Sequence, residues 1–108
     1  KFKSFNMMDA LLDLSADEMK QIAFEIKGEI KNFVLLLSSS KDNKPFITLM
    51  ISDDLVKTND WNAGLIIREL AKEIKGGGGG QAFFATAGGS NIDGLKNVSK
   101  KAKMIFNE

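Results

Sequence analysis

Five consecutive glycines, Gly76-Gly77-Gly78-Gly79-Gly80, constrain this chain more than any other stretch. They follow a helical pattern. A short strand pattern over 82–87 then leads to a second pair, Gly88-Gly89. Glycine has no Cβ, so other groups can come close to its backbone. It also loses more entropy on folding than any other residue, so a run of five weakens the element it joins. Either something must approach the backbone there, or the run is a flexible loop. An engineered linker would usually be longer and contain serine.

The order of elements decides which glycine chemistry is open. A nucleotide-binding glycine loop leads from a strand into a helix, so that helix N–H groups face the phosphate. The five glycines run the other way, from helix to strand. The G-x-G-x-x-G pattern fails at Gln81, and no Gly-Lys-Ser/Thr follows, so this is not a P-loop. Gly88-Gly89-Ser90 does have the usual order, which leaves room for an anion at the start of the last helix. The two glycine clusters bracket one strand and are placed to line one surface.

The chain has no cysteine and no histidine. A Ser-His-Asp triad, a Cys nucleophile, an ordinary structural zinc site and a disulfide are excluded. A carboxylate site for magnesium would remain, but the acidic residues are scattered, which argues against a self-contained enzyme. At 108 residues there is material for one small domain with one core. Net charge is +1, so any anion site must come from local clustering. No apolar run reaches the length of a membrane span. The lack of Cys is compatible with a cytosolic origin. The chain starts at Lys1 with no initiator Met and no signal-like segment, which suggests a fragment of a longer protein; processing or trimming would look the same.

Taken in order, residues 1–14 carry two patterns. Met8, Ala10, Leu12 and Leu14 alternate as in a strand, and Met7, Met8, Leu11 and Leu12 fit one helix face. The reading adopted is a strand at about 5–12. Ser15-Ala16-Asp17-Glu18 is a capping box. Met19, Ile22, Ala23, Ile26, Ile30 and Phe33 then recur at helical spacing, opposite Lys20, Gln21, Glu25, Lys27 and Lys31, which predicts an amphipathic helix over about 16–31. The apolar run 33–39, the polar turn Lys41-Asp42-Asn43-Lys44-Pro45 and the β-branched run 46–52 predict an antiparallel hairpin.

Residues 53–59 read as polar punctuation. Asn59 or Asp60 can cap the next helix, whose buried stripe is Ala63, Ile66, Ile67, Leu70, Ala71 and Ile74. A crossover would place the strand at 82–87 parallel to the one at 46–52. Ser90-Asn91-Ile92-Asp93 resembles a second capping box, opening a last helix over about 91–106. The expected fold is α/β: a single small layered domain, order β-α-β-β-α-β-α, with a mixed sheet of about four strands and helices packed on it.

The cations near the glycines have two readings. Lys72 and Lys75 suit the C-terminal dipole of their helix, and Lys96, Lys100, Lys101 and Lys103 suit a solvated helix face. Alternatively, Lys96, Lys100, Lys101 and Lys103 form a phosphate-contacting stripe beside the glycines.

Residues 71–81, Ala-Lys-Glu-Ile-Lys followed by the glycines and Gln81, then Phe84-Ala85-Thr86-Ala87-Gly88-Gly89, resemble the extreme C-terminal domain of alanyl-tRNA synthetases. This is the DHH-associated domain type, found also at the C-terminus of DHH phosphoesterases. The hairpin, Ile51-Ser52-Asp53-Asp54-Leu55 and Asn62-Ala63-Gly64 fit as well. The resemblance covers nearly the whole of 1–108 and is weakest before Asp13.

The resemblance implies a non-catalytic piece of a cytoplasmic enzyme whose ATP and zinc sites lie in other domains. It implies binding to the outer corner of tRNA specific for alanine, coupling of aminoacylation with editing, contacts with other domains of the same synthetase, and in some members a homodimer. Gly76, Gly77, Gly78, Gly79, Gly80, Gly88 and Gly89 match the family's glycine positions. Around them Arg68, Lys72, Lys75, Gln81, Lys96 and Lys100 are candidate tRNA-facing residues, the lysines on physical grounds alone. Many relatives carry Arg in or just after the glycines and an acidic residue in the strand, where this chain has Gln81-Ala82-Phe83-Phe84. Phe83 and Phe84 point to opposite faces of a strand, so at most one can stack on an unpaired base.

Two other functions compete. The substrate-gripping glycine motif of DHH phosphoesterases typically includes a His, and this chain has none. A self-association module would use the hairpin and an exposed sheet face.

Overall fold

The computed structural model describes residues 5–106. Five strands and four helices follow one another: β1 (Asn6–Leu12), α1 (Ala16–Glu29), β2 (Phe33–Ser39), β3 (Phe46–Ile51), α2 (Asp53–Asn59), α3 (Ala63–Ala71), β4 (Gly77–Gly80), β5 (Phe84–Gly88) and α4 (Leu95–Phe106). The strands form one mixed sheet in the order β1-β2-β3-β5-β4. β1 runs parallel to β2, and the other neighbours are antiparallel.

The capping box forms as its sequence requires. The Glu18 N–H donates to Ser15 Oγ at 3.2 Å, and the Ser15 N–H donates to Glu18 Oε1 at 2.8 Å. These bonds satisfy two donors that a helix start would otherwise leave open. α1 then buries Met19 and Ala23 against Phe33, Leu35, Leu37 and Met50 on one sheet face. On the other face Val34, Leu36, Ile47, Leu49, Ile51, Ala85 and Ala87 lie beneath α2, α3 and α4. Every residue of β2 is buried, as a continuous apolar run in a doubly covered strand demands.

The sheet has five strands rather than about four, because the glycines themselves form a strand. The crossover rule holds for that strand: β4 lies parallel to β3 in direction, two positions away in the sheet. β5 then turns back and inserts between them, so the strand at 82–87 is antiparallel to β3, not parallel. Residues 53–59 are a helix, not punctuation; Leu55 is buried and anchors it. Asn62, rather than Asn59 or Asp60, caps α3 by accepting from the Leu65 N–H at 3.1 Å. Asp60 instead takes the left-handed conformation that ends α2. The second capping box does not form. A short 3-10 turn, Ile92–Gly94, precedes α4, and the Asn91 amide donates to the Glu73 carbonyl at 3.2 Å.

Candidate nucleic-acid interface

β4 is an edge strand whose two sides differ. A Cβ on Gly76, Gly78 or Gly80 would collide with the carbonyl oxygens of Gly88, Thr86 and Phe84 respectively. A Cβ on Gly77 would meet nothing, and one on Gly79 would meet only the Arg68 guanidinium, at 3.5 Å. One side of the glycine run is thus pressed onto β5, and the other is bare backbone. The turn after β4 is tied to α3: the N–H groups of Ala63 and Gly64 donate to the carbonyls of Ala82 and Gln81 at 2.8 and 3.1 Å. Both are helix-start donors with no partner inside the helix.

The second glycine pair is locked to the first through Ile74. Its carbonyl oxygen accepts from the N–H groups of Ser90 and Asn91, both at 2.9 Å. These donors, expected to face an anion ahead of the last helix, are therefore already used. The Gly89 N–H donates to the Pro45 carbonyl at 3.1 Å, which fixes the β2–β3 turn beside it.

A cleft of about 600 Å³ opens where these segments meet. Lys41 and Lys44 of the hairpin turn, Lys75, and the backbones of Gly76, Gly88 and Gly89 line it, with Asp42 and the start of α1. Three cations thus face one carboxylate there. Among the described residues none of the three makes an ion pair. Lys75 holds the left-handed conformation, φ 53° and ψ 51°, in which an L side chain is strained by about 1–2 kcal/mol. Glycine or asparagine would sit there more comfortably.

The remaining candidates divide. Arg68 lies beside Gly79 and has no ion pair among the described residues. Lys72 is engaged with Glu69 at 3.0 Å, and that bond holds the Glu69 carboxyl below its ordinary range. Lys101 bridges to the Glu69 carbonyl at 2.9 Å and the Glu73 carboxylate at 3.3 Å. Gln81 lines a second depression, with Gly79, Gly80, Phe83, Phe84, Lys20 and Phe24. Lys96 and Lys100 belong to α4, on the sheet face opposite α1, and Lys96 lies near Asp9 and Ser99. The structure does not bring these two to the cleft.

Sequence reasoning missed Lys41 and Lys44. Their signal was the hairpin itself, because Phe46 at the start of β3 pairs with Gly88 and carries the turn to the second glycine pair. It also passed over Phe24, which is 41% exposed and packs its ring against Phe83 and Phe84. Phe84 packs into the core under α1, and Phe83 is covered by the Lys27 ammonium, 5.5 Å from its ring centre. Among the described residues no three His, Cys, Asp or Glu are grouped to hold a metal, and no helix is long and apolar enough to cross a membrane.

Residues 7–108 match the DHHA1 domain. The chain is 48% identical over 107 residues to the alanine–tRNA ligase of Cytophaga hutchinsonii, covering 98% of this chain and 12% of that protein. It is 46% identical over 101 residues to that of Christiangramia forsetii, covering 94% and 12%. The chain thus spans about an eighth of the length of the curated relatives it matches. Among solved structures, the C-Ala domain from Aquifex aeolicus alanyl-tRNA synthetase superposes with a TM-score of 0.89 at 27% identity, over 100% of this chain and 96% of that one.

Proposed function

The chain belongs to the DHHA1 domain family, and on that premise we propose that it is the tRNA-binding C-terminal domain of an alanyl-tRNA synthetase. The observation that carries this reading is the cleft at the end of the sheet. Lys41, Lys44 and Lys75, none of them ion-paired among the described residues, surround backbone that carries no side chains. Ammonium groups act as point charges for phosphate, and bare glycine lets a bulky sugar-phosphate come close. Neither group reads a base edge, so recognition is by tRNA shape. Residues held in costly backbone conformations concentrate at functional sites, and Lys75 is one of them.

In this reading Gly76 to Gly80, Gly88, Gly89 and Lys75 face tRNA together with Arg68 and Gln81. Lys96 and Lys100 form at most a separate contact. The domain performs no chemistry; ATP and zinc belong to other segments of a cytoplasmic enzyme, and the contact helps one tRNA serve aminoacylation and editing in turn. The test is binding to alanine-specific tRNA at two salt concentrations. Each phosphate contact adds about 0.7–0.9 to the slope of log affinity against log salt, so Lys41→Glu and Lys44→Glu should both weaken binding and flatten the slope. Binding that ignores salt and both reversals would overturn the proposal.

A further inference from the structure

The cationic cleft and the phenylalanine depression lie end to end along the same two elements. On α1, Ala16 borders the cleft while Lys20 and Phe24 border the depression. These positions are four residues apart, so they form one stripe of the helix. On β5, Gly88 borders the cleft, and Thr86 and Phe84 border the depression. These alternate along the strand and so share its α1-facing side. The outer side is the glycine strand, spanning about 13 Å from Gly76 to Gly80 at the usual strand rise.

We propose that this track is a groove for an unpaired, extended segment of RNA. Its phosphates enter at Lys41, Lys44 and Lys75, its backbone runs over the glycines, and one base stacks on Phe24. The inference rests on the tRNA reading for its partner and adds which part of that partner is held. Three features select the occupant. The three lysines at the cleft end, set against Asp42 alone, favour a polyanion, while Lys20 at the other end stands among Asp17 and Glu25. Phe24, packed on Phe83 and Phe84 but 41% exposed, leaves aromatic surface at the rim of that cluster, and stacking on an aromatic ring is open to any base. The floor is only two strands wide, about 10 Å, so one nucleic-acid strand reaches it and a paired stem does not. Like charges would oppose a second copy of the chain seated in the same place.

The probe is a single-stranded RNA of about eight nucleotides, within the usual site size of such grooves, carrying 2-aminopurine. It is titrated into the 108-residue chain beside intact tRNA. The expected result is binding with altered 2-aminopurine emission, weakened about 5- to 150-fold by Phe24→Ala and kept by Phe24→Trp. Phe24 is surface-exposed, and far-UV circular dichroism checks that each variant is folded. Oligonucleotide binding unchanged by Phe24→Ala would overturn the groove. Binding of tRNA but not of the oligonucleotide would overturn it too, and leave the tRNA reading standing. The reverse pattern would keep the groove and remove the tRNA reading; binding of neither would remove both. A dimer dissociated by Phe24→Ala would assign this face to a second copy and overturn the groove.

Discussion

The α-carbon of Gly78 stands against the carbonyl oxygen of Thr86, with no room for a methyl group between them. Gly77, one residue earlier, faces open space. Gly78→Ala should therefore destabilise by about 1–3 kcal/mol, the range for forced overpacking. Gly77→Ala should be neutral or stabilise by about 0.4–1 kcal/mol through the unfolded chain. Urea midpoints of the two variants test this, and equal losses would refute the two-sided strand.

Lys75→Asn separates fold from binding. Asparagine tolerates the left-handed conformation and carries no charge. Thermal stability should hold or rise slightly while tRNA affinity falls and its salt slope flattens. A less stable variant that binds tRNA as before would show that Lys75 serves the turn instead.

Thr48 is fully buried between Leu37 and Thr86, and its hydroxyl has no hydrogen-bond partner among the described residues. An orphaned buried hydroxyl costs about 1–3 kcal/mol. Thr48→Val keeps the shape and removes that cost, so its unfolding midpoint should rise. A lower midpoint would mean that the hydroxyl has a partner in solution.

Glu18 ties the capping box to acidity. The hydrogen bonds from Ser15, backbone first and then side chain, hold its carboxyl below the ordinary glutamate range, with a small contribution from the Lys41 charge. A depressed carboxyl contributes stability above its unfolded value and loses it as pH falls through the folded one. Glutamine keeps the cap and cannot titrate. Below the ordinary glutamate pKa of about 4.3, the parent chain should lose stability relative to Glu18→Gln; parallel pH profiles would show no interaction.

Local elements were legible where one physical signal dominated. Ser15 and Glu18 announced a helix start, and the alternation of Met8, Ala10 and Leu12 matches β1, whose residues pair in parallel with β2. The glycines were not legible as a strand, because what holds them there is the backbone of β5, and composition alone reads as loop. The same hidden pairing reversed the direction expected for β5. The cleft was half visible: Lys75 and both glycine clusters meet at it, but Lys41 and Lys44 arrive through strand register. Lys96 and Lys100 follow the second glycine pair closely in sequence, but they lie on α4, which packs on the sheet face away from α1, and neither lines the cleft.

The strand order also dictates a sequence of events in folding. β5 is an interior strand, yet it follows both of its neighbours along the chain. Until it inserts, β3 presents the bare edge of the segment Phe46–Ile51, five of whose six residues end up buried. Such an edge pairs readily with another chain. Closure of the glycine hairpin is thus the step that ends the exposure to misassembly, and a slow closure, as in Gly78→Ala, should show as aggregation during refolding.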